Sequence, residues 1–314
     1  MLLRKFILSS TLLAILSSAG TAIAGDLQAG DNPQGGMAQP DDTGFYGNLH
    51  TTFGVDETLN PAIVNLPYGA FGGKFAYEAA PQDWGFQADL DYKYSDITWS
   101  SPQVIGLTGN QSEIDSAIHA TYAIDNSKKF GFFTGYSGRN TSLVTSTASN
   151  TLNYGIQGLG AEGLMAVGDG TAVQIRAAIL VPIYDNSVIN SGSGPVTTGS
   201  LGPDFGHLGY MVAAGASQQL MHNISARVDA TYANFTVKDI GTNISEMNAQ
   251  FSTQYTFDTI PLTLGAAVGY GRETVAGVSY DTFTAMNKLT YSFGGPAHGV
   301  HGRLFRSGVL GWAN

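Results

Sequence analysis

The chain has 314 residues, a formal net charge of −10, 41 Gly and no Cys. Its length allows one large β domain or two smaller ones. The acidic balance argues against nucleic acid as a partner, and the absence of Cys excludes a fold held by disulfides.

The N-terminal segment predicts export. Arg4 and Lys5 precede an apolar run from Phe6 to about Leu16, and Ala22-Ile23-Ala24 matches the A-x-A pattern of a cleavage site. We therefore expect residues 1–24 to be a secretory signal peptide cleaved after Ala24. Residues 25–43 are polar and rich in Gly, Pro and Asp, which predicts a flexible leader.

From residue 44 onward, apolar and polar residues alternate with a period of two. In WGFQADLDYKYS, residues 84–95, the large apolar side chains would circle a helix but share one face of a strand. The same test predicts twelve strands, each of ten or more residues: 44–54, 70–80, 84–96, 112–123, 130–139, 152–166, 172–184, 206–217, 223–235, 244–257, 261–271 and 280–293. Strands of this length suit tilted segments that cross a bilayer.

The strand at 152–166 has the weakest pattern. Glu162 falls on the apolar register set by Tyr154 and Ile156, so we expect a bulge or an early end.

The predicted connections alternate in length. Short links at 80–83, 167–171 and 258–260 are interleaved with longer ones near 55–69, 97–111, 140–151 and 185–205. Transmembrane barrels show this asymmetry, with tight periplasmic turns and long outer loops. Both ends of the barrel segment are then expected on the periplasmic side.

Aromatic residues lie mainly near predicted strand ends, as in the interfacial belts of membrane barrels. A secreted β-sandwich with aromatics in its core is the alternative. Strand length, loop asymmetry and alternation favour a closed antiparallel transmembrane β-barrel of about 12 strands over residues 44–293.

At the end of the last predicted strand, the sequence NKLTYSF ends in alternating Leu289, Tyr291 and Phe293. This segment resembles the terminal-strand signal of Gram-negative outer-membrane β-barrel proteins. The resemblance implies an outer-membrane location, contact with outer-membrane lipid and recognition by the barrel-assembly machinery. In that family the aromatic residue usually ends the chain, whereas here residues 294–314 follow. This C-terminal extension either enters the barrel mouth or stays outside without order, and the second is expected.

If the apolar face meets lipid, the polar face lines a lumen. Fourteen ionisable residues are predicted to be pore-lining: His50, Lys74, Glu78, Asp89, Asp91, Lys93, Glu113, Asp115, His119, Arg176, Arg227, Asp229, Glu246 and Lys288. Antiparallel registers place Lys74 near Asp89, and Lys93 near Glu113 and Asp115. The charges either neutralise one another or form a wall that selects solutes.

Two other strands present little bulk to the lumen. Their inward positions are Gly209, Ala213, Gly215 and Ser217 on one strand and Thr263, Gly265, Ala267 and Gly269 on the other. We therefore expect an off-centre passage between these small residues and the charged strands. The loop at 185–204 is expected either to fold inward as a constriction or to stay outside.

These features predict a porin-like channel for passive diffusion of small hydrophilic solutes, with no cofactor and no metal. A barrel enzyme, such as a lipid hydrolase or protease, is one alternative. Its candidates are His50 with Thr52, and His119 with Asp115 and Thr121, but such pairs recur throughout the chain and no GxSxG motif is present. A structural or adhesive surface protein with a blocked lumen is the other alternative.

Overall fold

The computed structural model describes residues 44–60, 64–78, 84–99, 108–144, 149–168, 170–184, 187–191, 194–198, 202–203, 207–237, 242–275, 277–293, 304–305 and 309. Twelve long strands form a closed antiparallel barrel: β1 (Gly44–Asn60), β2 (Val64–Glu78), β3 (Trp84–Trp99), β4 (Thr108–Asp125), β5 (Lys128–Val144), β6 (Ser149–Ala166), β7 (Thr171–Tyr184), β11 (Gly209–Met221), β12 (Ile224–Val237), β13 (Thr242–Thr256), β14 (Leu262–Val275) and β15 (Val278–Phe293). Three short strands lie between β7 and β11: β8 (Ser187–Ser191), β9 (Gly194–Thr198) and β10 (Gly202–Pro203). The predicted fold class and all twelve predicted strands are confirmed.

The barrel closes where the first strand meets the last. β1 pairs with β15 from Gly47↔Phe293 to Asn60↔Asp281, while β6 pairs with β7 and β7 with β11. Among the twelve long strands as described, closure leaves no unpaired strand edge, which is the condition for backbone N–H and C=O groups to lie in hydrocarbon. None of the described residues forms a helix with the length and hydropathy needed to cross a membrane.

The two faces of the barrel differ as the alternation predicts. Large apolar side chains point outward and are exposed, including Phe53 (65%), Leu90 (54%) and Ile118 (54%). The polar residues between them point inward and are buried. The pleat of the strand produces this separation, because successive side chains leave a strand on opposite faces.

We name the end of the barrel at which β1 begins and β15 ends the terminal rim, and the opposite end the far rim. Tight connections at the terminal rim include 126–127 and 222–223. Gly168 and Gly170 there, and Gly277 at the far rim, have φ of 78°, 75° and 82°, a region that side chains disfavour. The longest connection, 185–208, carries β8 to β10 at the far rim, and β8 pairs with the start of β6.

The long connections predicted near 55–69 and 140–151 are largely strand. β1 continues to Asn60 and β2 begins at Val64, while β5 continues to Val144 and β6 begins at Ser149. That part of the prediction is wrong. The predicted strands ended where the regular alternation ends, but the two strands of a hairpin can continue to pair beyond that point.

The prediction for the strand at 152–166 is also wrong. β6 pairs with β5 without a register shift from Lys128↔Met165 to Val144↔Ser149, so there is neither a bulge nor an early end. Ile156 and Glu162 both face the lumen, and Leu159, 65% exposed, faces outward. The inner wall is apolar at one height and charged at another, which the period-two test alone does not anticipate.

Three described residues of the C-terminal extension lie inside the barrel. Leu304, Phe305 and Val309 are 4%, 0% and 2% exposed. The extension therefore enters the barrel at these positions, and the expectation of an unordered external segment is wrong for them. The predicted signal peptide at 1–24 and leader at 25–43 lie outside the described residues.

Candidate functional site

All fourteen residues predicted to line the pore point into the lumen. Thirteen are buried, with exposed fractions of 6% or less, and the side chain of Arg227 is 10% exposed. The lumen beside β2 to β5 is thus filled by side chains.

A charged cluster occupies the far half of the lumen. Lys93 Nζ lies 2.9 Å from Asp56 Oδ2 and 3.9 Å from Glu113 Oε2, and the Thr284 hydroxyl donates to Asp56 Oδ1 at 2.7 Å. Arg139 Nε donates to Glu113 Oε1 at 2.7 Å. This cluster joins strands from β15 through β1 to β5. The predicted registers of Lys74 with Asp89 and of Lys93 with Glu113 are both confirmed.

A second cluster lies at mid-height around His119. Its Nε2 is 2.8 Å from Asp89 Oδ2 and its Nδ1 is 2.5 Å from Glu162 Oε1. Arg176 Nε lies 3.5 Å from Glu162 Oε2, and the Arg176 guanidinium lies 3.7 Å from the centre of the Phe133 ring. His119 therefore contributes to an ionic network between β3, β4, β6 and β7. His50 forms a similar contact, 2.8 Å from Asp91.

The C-terminal extension contacts this network through Phe305. Lys74 Nζ donates to the Phe305 carbonyl at 2.8 Å, and the Gln87 side chain both donates to that carbonyl at 3.0 Å and accepts from the Phe305 N–H at 2.8 Å. The rings of His119 and Phe305 stack with centroids 6.2 Å apart and 4° between their planes. Close to the terminal rim, Lys129 donates to both Glu78 and Tyr46.

An apolar cluster occupies the far half of the lumen on the opposite side. Its buried members from the barrel wall include Ile156, Leu180, Met211, Phe235, Ile244 and Tyr280, and Val309 of the extension packs with them. The sequence analysis missed this cluster because it assigned apolar residues to the outer face. Two inward residues, Leu180 and Met211, lie between outward apolar neighbours, so alternation does not mark them.

The inner face of β11 is the most accessible part of the lumen wall within the described ranges. Ala213, Gly215 and Ser217 face inward and are partly exposed, in contrast to the buried inward residues of β3 and β4. Arg227 on β12 forms a two-bond contact with Asp229, at 2.6 and 2.7 Å, and donates to Gln174 at 3.2 Å. The small residues predicted on β14, Thr263, Gly265, Ala267 and Gly269, also face inward but are buried.

Five buried inward charges were not predicted: Asp56, Lys129, Arg139, Glu162 and Glu273. Asp56, Lys129 and Glu273 lie beyond the predicted strand limits, and Glu162 was placed on the wrong face. Arg139 lies within the predicted strand, at an inward position of β5. The alternation rule could therefore have placed it in the lumen.

The three residues of the predicted assembly signal lie near the end of β15. Leu289 and Tyr291 face outward on β15, 43% and 48% exposed, and the Phe293 ring lies 5.7 Å from that of Phe75. Their role as an assembly signal stays a prediction.

Both ring nitrogens of His119 contact carboxylates, so its geometry is that of an ion-pair partner and not of a base beside the hydroxyl of Thr121. No group of His, Asp or Glu within the described ranges has the arrangement of a metal site.

Comparison with known proteins supports the fold through structure alone. No protein-family model matches the sequence, and no curated protein matches it. Among solved structures, the chain is similar to the translocator domain of the autotransporter NalP from Neisseria meningitidis, with a TM-score of 0.53, 14% identity, and coverage of 79% of this chain and 88% of that one. It is also similar to the toluene transporter TodX of Pseudomonas putida, with a TM-score of 0.50, 12% identity, and coverage of 88% and 96%. The chain therefore has the closed twelve-strand form of the fold shared by outer-membrane β-barrel proteins.

Proposed function

We propose that this protein is a passive channel of the outer membrane of a Gram-negative bacterium, through which small hydrophilic solutes diffuse along a narrow, charged lumen. The observation that carries the proposal is the partly exposed inner face of β11 inside a barrel with an apolar outer face. Ala213, Gly215 and Ser217 leave space there, and the Arg227–Asp229 pair gives it charge. Water and a small solute need such a polar, low-bulk wall.

The proposed path begins at the terminal rim beside Ser217 and continues along the β11 wall. The far half is filled by the charged cluster on one side and the apolar cluster on the other, so the described conformation is a narrow one. Conduction requires these side chains or the C-terminal extension to move aside. A polar wall with a movable constriction is compatible with diffusion that needs no cofactor.

Planar-bilayer recording tests the proposal with a matched pair of variants. Ser217→Trp adds bulk to the accessible wall, whereas Ala216→Trp adds the same bulk to the outer face of the same strand. We expect Ser217→Trp to lower the single-channel conductance at least twofold and Ala216→Trp to leave it unchanged. If the parent protein conducts no ions over a wide voltage range, even after removal of the extension, the proposal is wrong.

The apolar cluster favours a second candidate, passage of apolar solutes. The structurally similar TodX is described as a toluene transporter. Two liposome assays separate the candidates. Swelling in sugars and amino acids supports the hydrophilic channel, whereas accelerated entry of toluene without swelling supports the second candidate.

A further inference from the structure

We propose that the lumen contains a binding site for a peptide segment, and that Leu304, Phe305 and Val309 of the chain's own C-terminal extension occupy this site as a displaceable plug. The proposal deepens the proposed channel function, because it assigns the element that closes the path. We name the inward residues that contact Leu304, Phe305 and Val309 the tail seat.

The tail seat recognises the peptide backbone. The carboxamide of Gln87 accepts from the N–H of Phe305 and donates to its C=O, so it pairs with that residue as a neighbouring strand would. The ammonium group of Lys74 donates to the same carbonyl at 2.8 Å. Because all three bonds go to main-chain atoms, this part of the seat fits an extended peptide and not one particular side chain.

The seat also provides separate places for side chains. Leu304 packs with Tyr46 and Ala76, close to the terminal rim. The Phe305 side chain packs with Leu164 and Ala172, and its ring stacks against His119. These contacts bury both residues almost completely.

Two paired glycines form the recess for Val309. Gly135 on β5 and Gly158 on β6 are register partners. A Cβ atom built on Gly158 would overlap the Val309 side chain, and its three nearest atoms all belong to Val309. A Cβ on Gly135 would lie 2.4 Å from the Ser116 carbonyl oxygen and 2.9 Å from Val309 Cγ2, so the neighbouring strand and Val309 both require the absence of a side chain there. The wall lacks side chains at the two positions where the extension needs the space.

Topology and charge both favour this occupant. β15 ends at the terminal rim, Leu304 packs near that rim, and Val309 packs against Gly135 and Gly158 at mid-height, so Val309 lies deeper in the lumen than Leu304. Residues 294–314 contain Arg303 and Arg306 and no acidic residue. The described part of the barrel buries ten acidic side chains against six lysines and arginines, so the lumen favours a basic segment.

A deletion and a peptide added back test the plug. The variant that ends at Phe293 is expected to conduct at least threefold more than the full chain in planar bilayers. A synthetic peptide of residues 299–314, added on the side of the terminal rim, is expected to reverse this increase, and the same peptide added on the opposite side is not. A peptide with Phe305→Asp and Leu304→Asp serves as the control and should have no effect.

Peptide binding, measured by fluorescence anisotropy on the deletion variant, separates this proposal from the channel function. Block by peptide from the terminal-rim side alone, together with peptide binding, supports both the plug and the channel function. Binding without conductance in either protein supports the tail seat and contradicts the channel. Conductance that is equal in the two proteins, without peptide binding, overturns the plug and leaves the channel intact. Block by a second copy's extension would appear as a concentration-dependent dimer of the full chain and would also overturn the intramolecular plug.

A second pair of variants covers the case in which the deletion variant does not fold. The chain has no Cys, so Leu304→Cys introduces a single thiol at a buried position. Adding Gly158→Val should displace the segment and raise the rate of maleimide labelling at least tenfold. Adding Gly163→Val, on the outer face of β6, where a Cβ meets only an ordinary contact at 3.6 Å, should leave the rate unchanged. Equal rates in the two variants would contradict the proposal.

Discussion

His119 on β4 contacts Glu162 on β6 across the intervening strand β5, with 2.5 Å between Nδ1 and Oε1. Both side chains are buried, and the other ring nitrogen of His119 lies 2.8 Å from Asp89 on β3. The contact therefore links strands that the backbone ladder does not pair directly. A charged group enclosed in this way depends on its partners, because it has lost its contact with bulk water.

Removal of Glu162 should destabilise the barrel strongly. Glu162→Ala leaves Arg176 and His119 without their shared carboxylate, and a broken buried pair costs about 3–5 kcal/mol. Urea unfolding in lipid vesicles, followed by tryptophan fluorescence, measures the loss of unfolding free energy.

An exposed contact between a histidine and a carboxylate provides the control. His222 and Asp258 are 3.5 Å apart, with 65% and 58% of their side chains exposed. Asp258→Ala should change the free energy of unfolding by about 1 kcal/mol or less, because solvent screens such pairs. Similar losses in Glu162→Ala and Asp258→Ala would show that the His119 network contributes little.

Ion selectivity should depend on Arg227. Its guanidinium forms the two-bond contact with Asp229 beside the accessible inner face of β11, so Arg227→Gln leaves a carboxylate next to the proposed path. We expect the reversal potential in a salt gradient to shift toward cation selectivity. Arg272→Gln is the control, since Arg272 pairs with Asp281 on the outer face near the far rim. An equal shift in both variants would argue against a path beside β12.

The sequence predicts the wall of this barrel better than its contents. Alternation such as that of residues 84–95 marks the two faces of a strand, because a lipid-facing surface and a polar interior impose opposite demands at every step. Strand ends are harder to predict. Outside the hydrocarbon layer the outer face need not be apolar, so β1 continues through Glu57 to Asn60 after the pattern has faded.

The contents of the lumen depend on contacts between distant parts of the chain. Ile156 faces inward because Leu180, Met211 and Phe235 meet it there, and none of these is a sequence neighbour. The position of Phe305 depends likewise on Lys74 and Gln87, more than two hundred residues earlier in the chain. A local pattern carries no information about such contacts.

A charged substitution at the middle of the outer face tests whether that face meets lipid. Leu90 lies near the middle of β3 and is 54% exposed on the outer surface. Leu90→Arg should lower the free energy of unfolding in bilayers by about 2–4 kcal/mol, the cost of a cation at mid-membrane depth. Phe45→Arg, at the terminal rim, should cost about 1 kcal/mol or less. If the two variants are equally stable, the outer face does not lie in hydrocarbon.

The apolar cluster should control both stability and conductance, and Phe235 tests the two together. Phe235 is 1% exposed and packs in the far half of the lumen, so Phe235→Ala removes buried contacts and leaves a cavity, which costs about 3–5 kcal/mol. Phe251→Ala, on the outer face of β13, removes the same ring from a side chain that is 47% exposed, and should cost less than half as much. The cavity left by Phe235→Ala also widens the path at its narrow half, so conductance should rise in this variant alone. A stability loss without any rise in conductance would place the proposed path away from the apolar cluster.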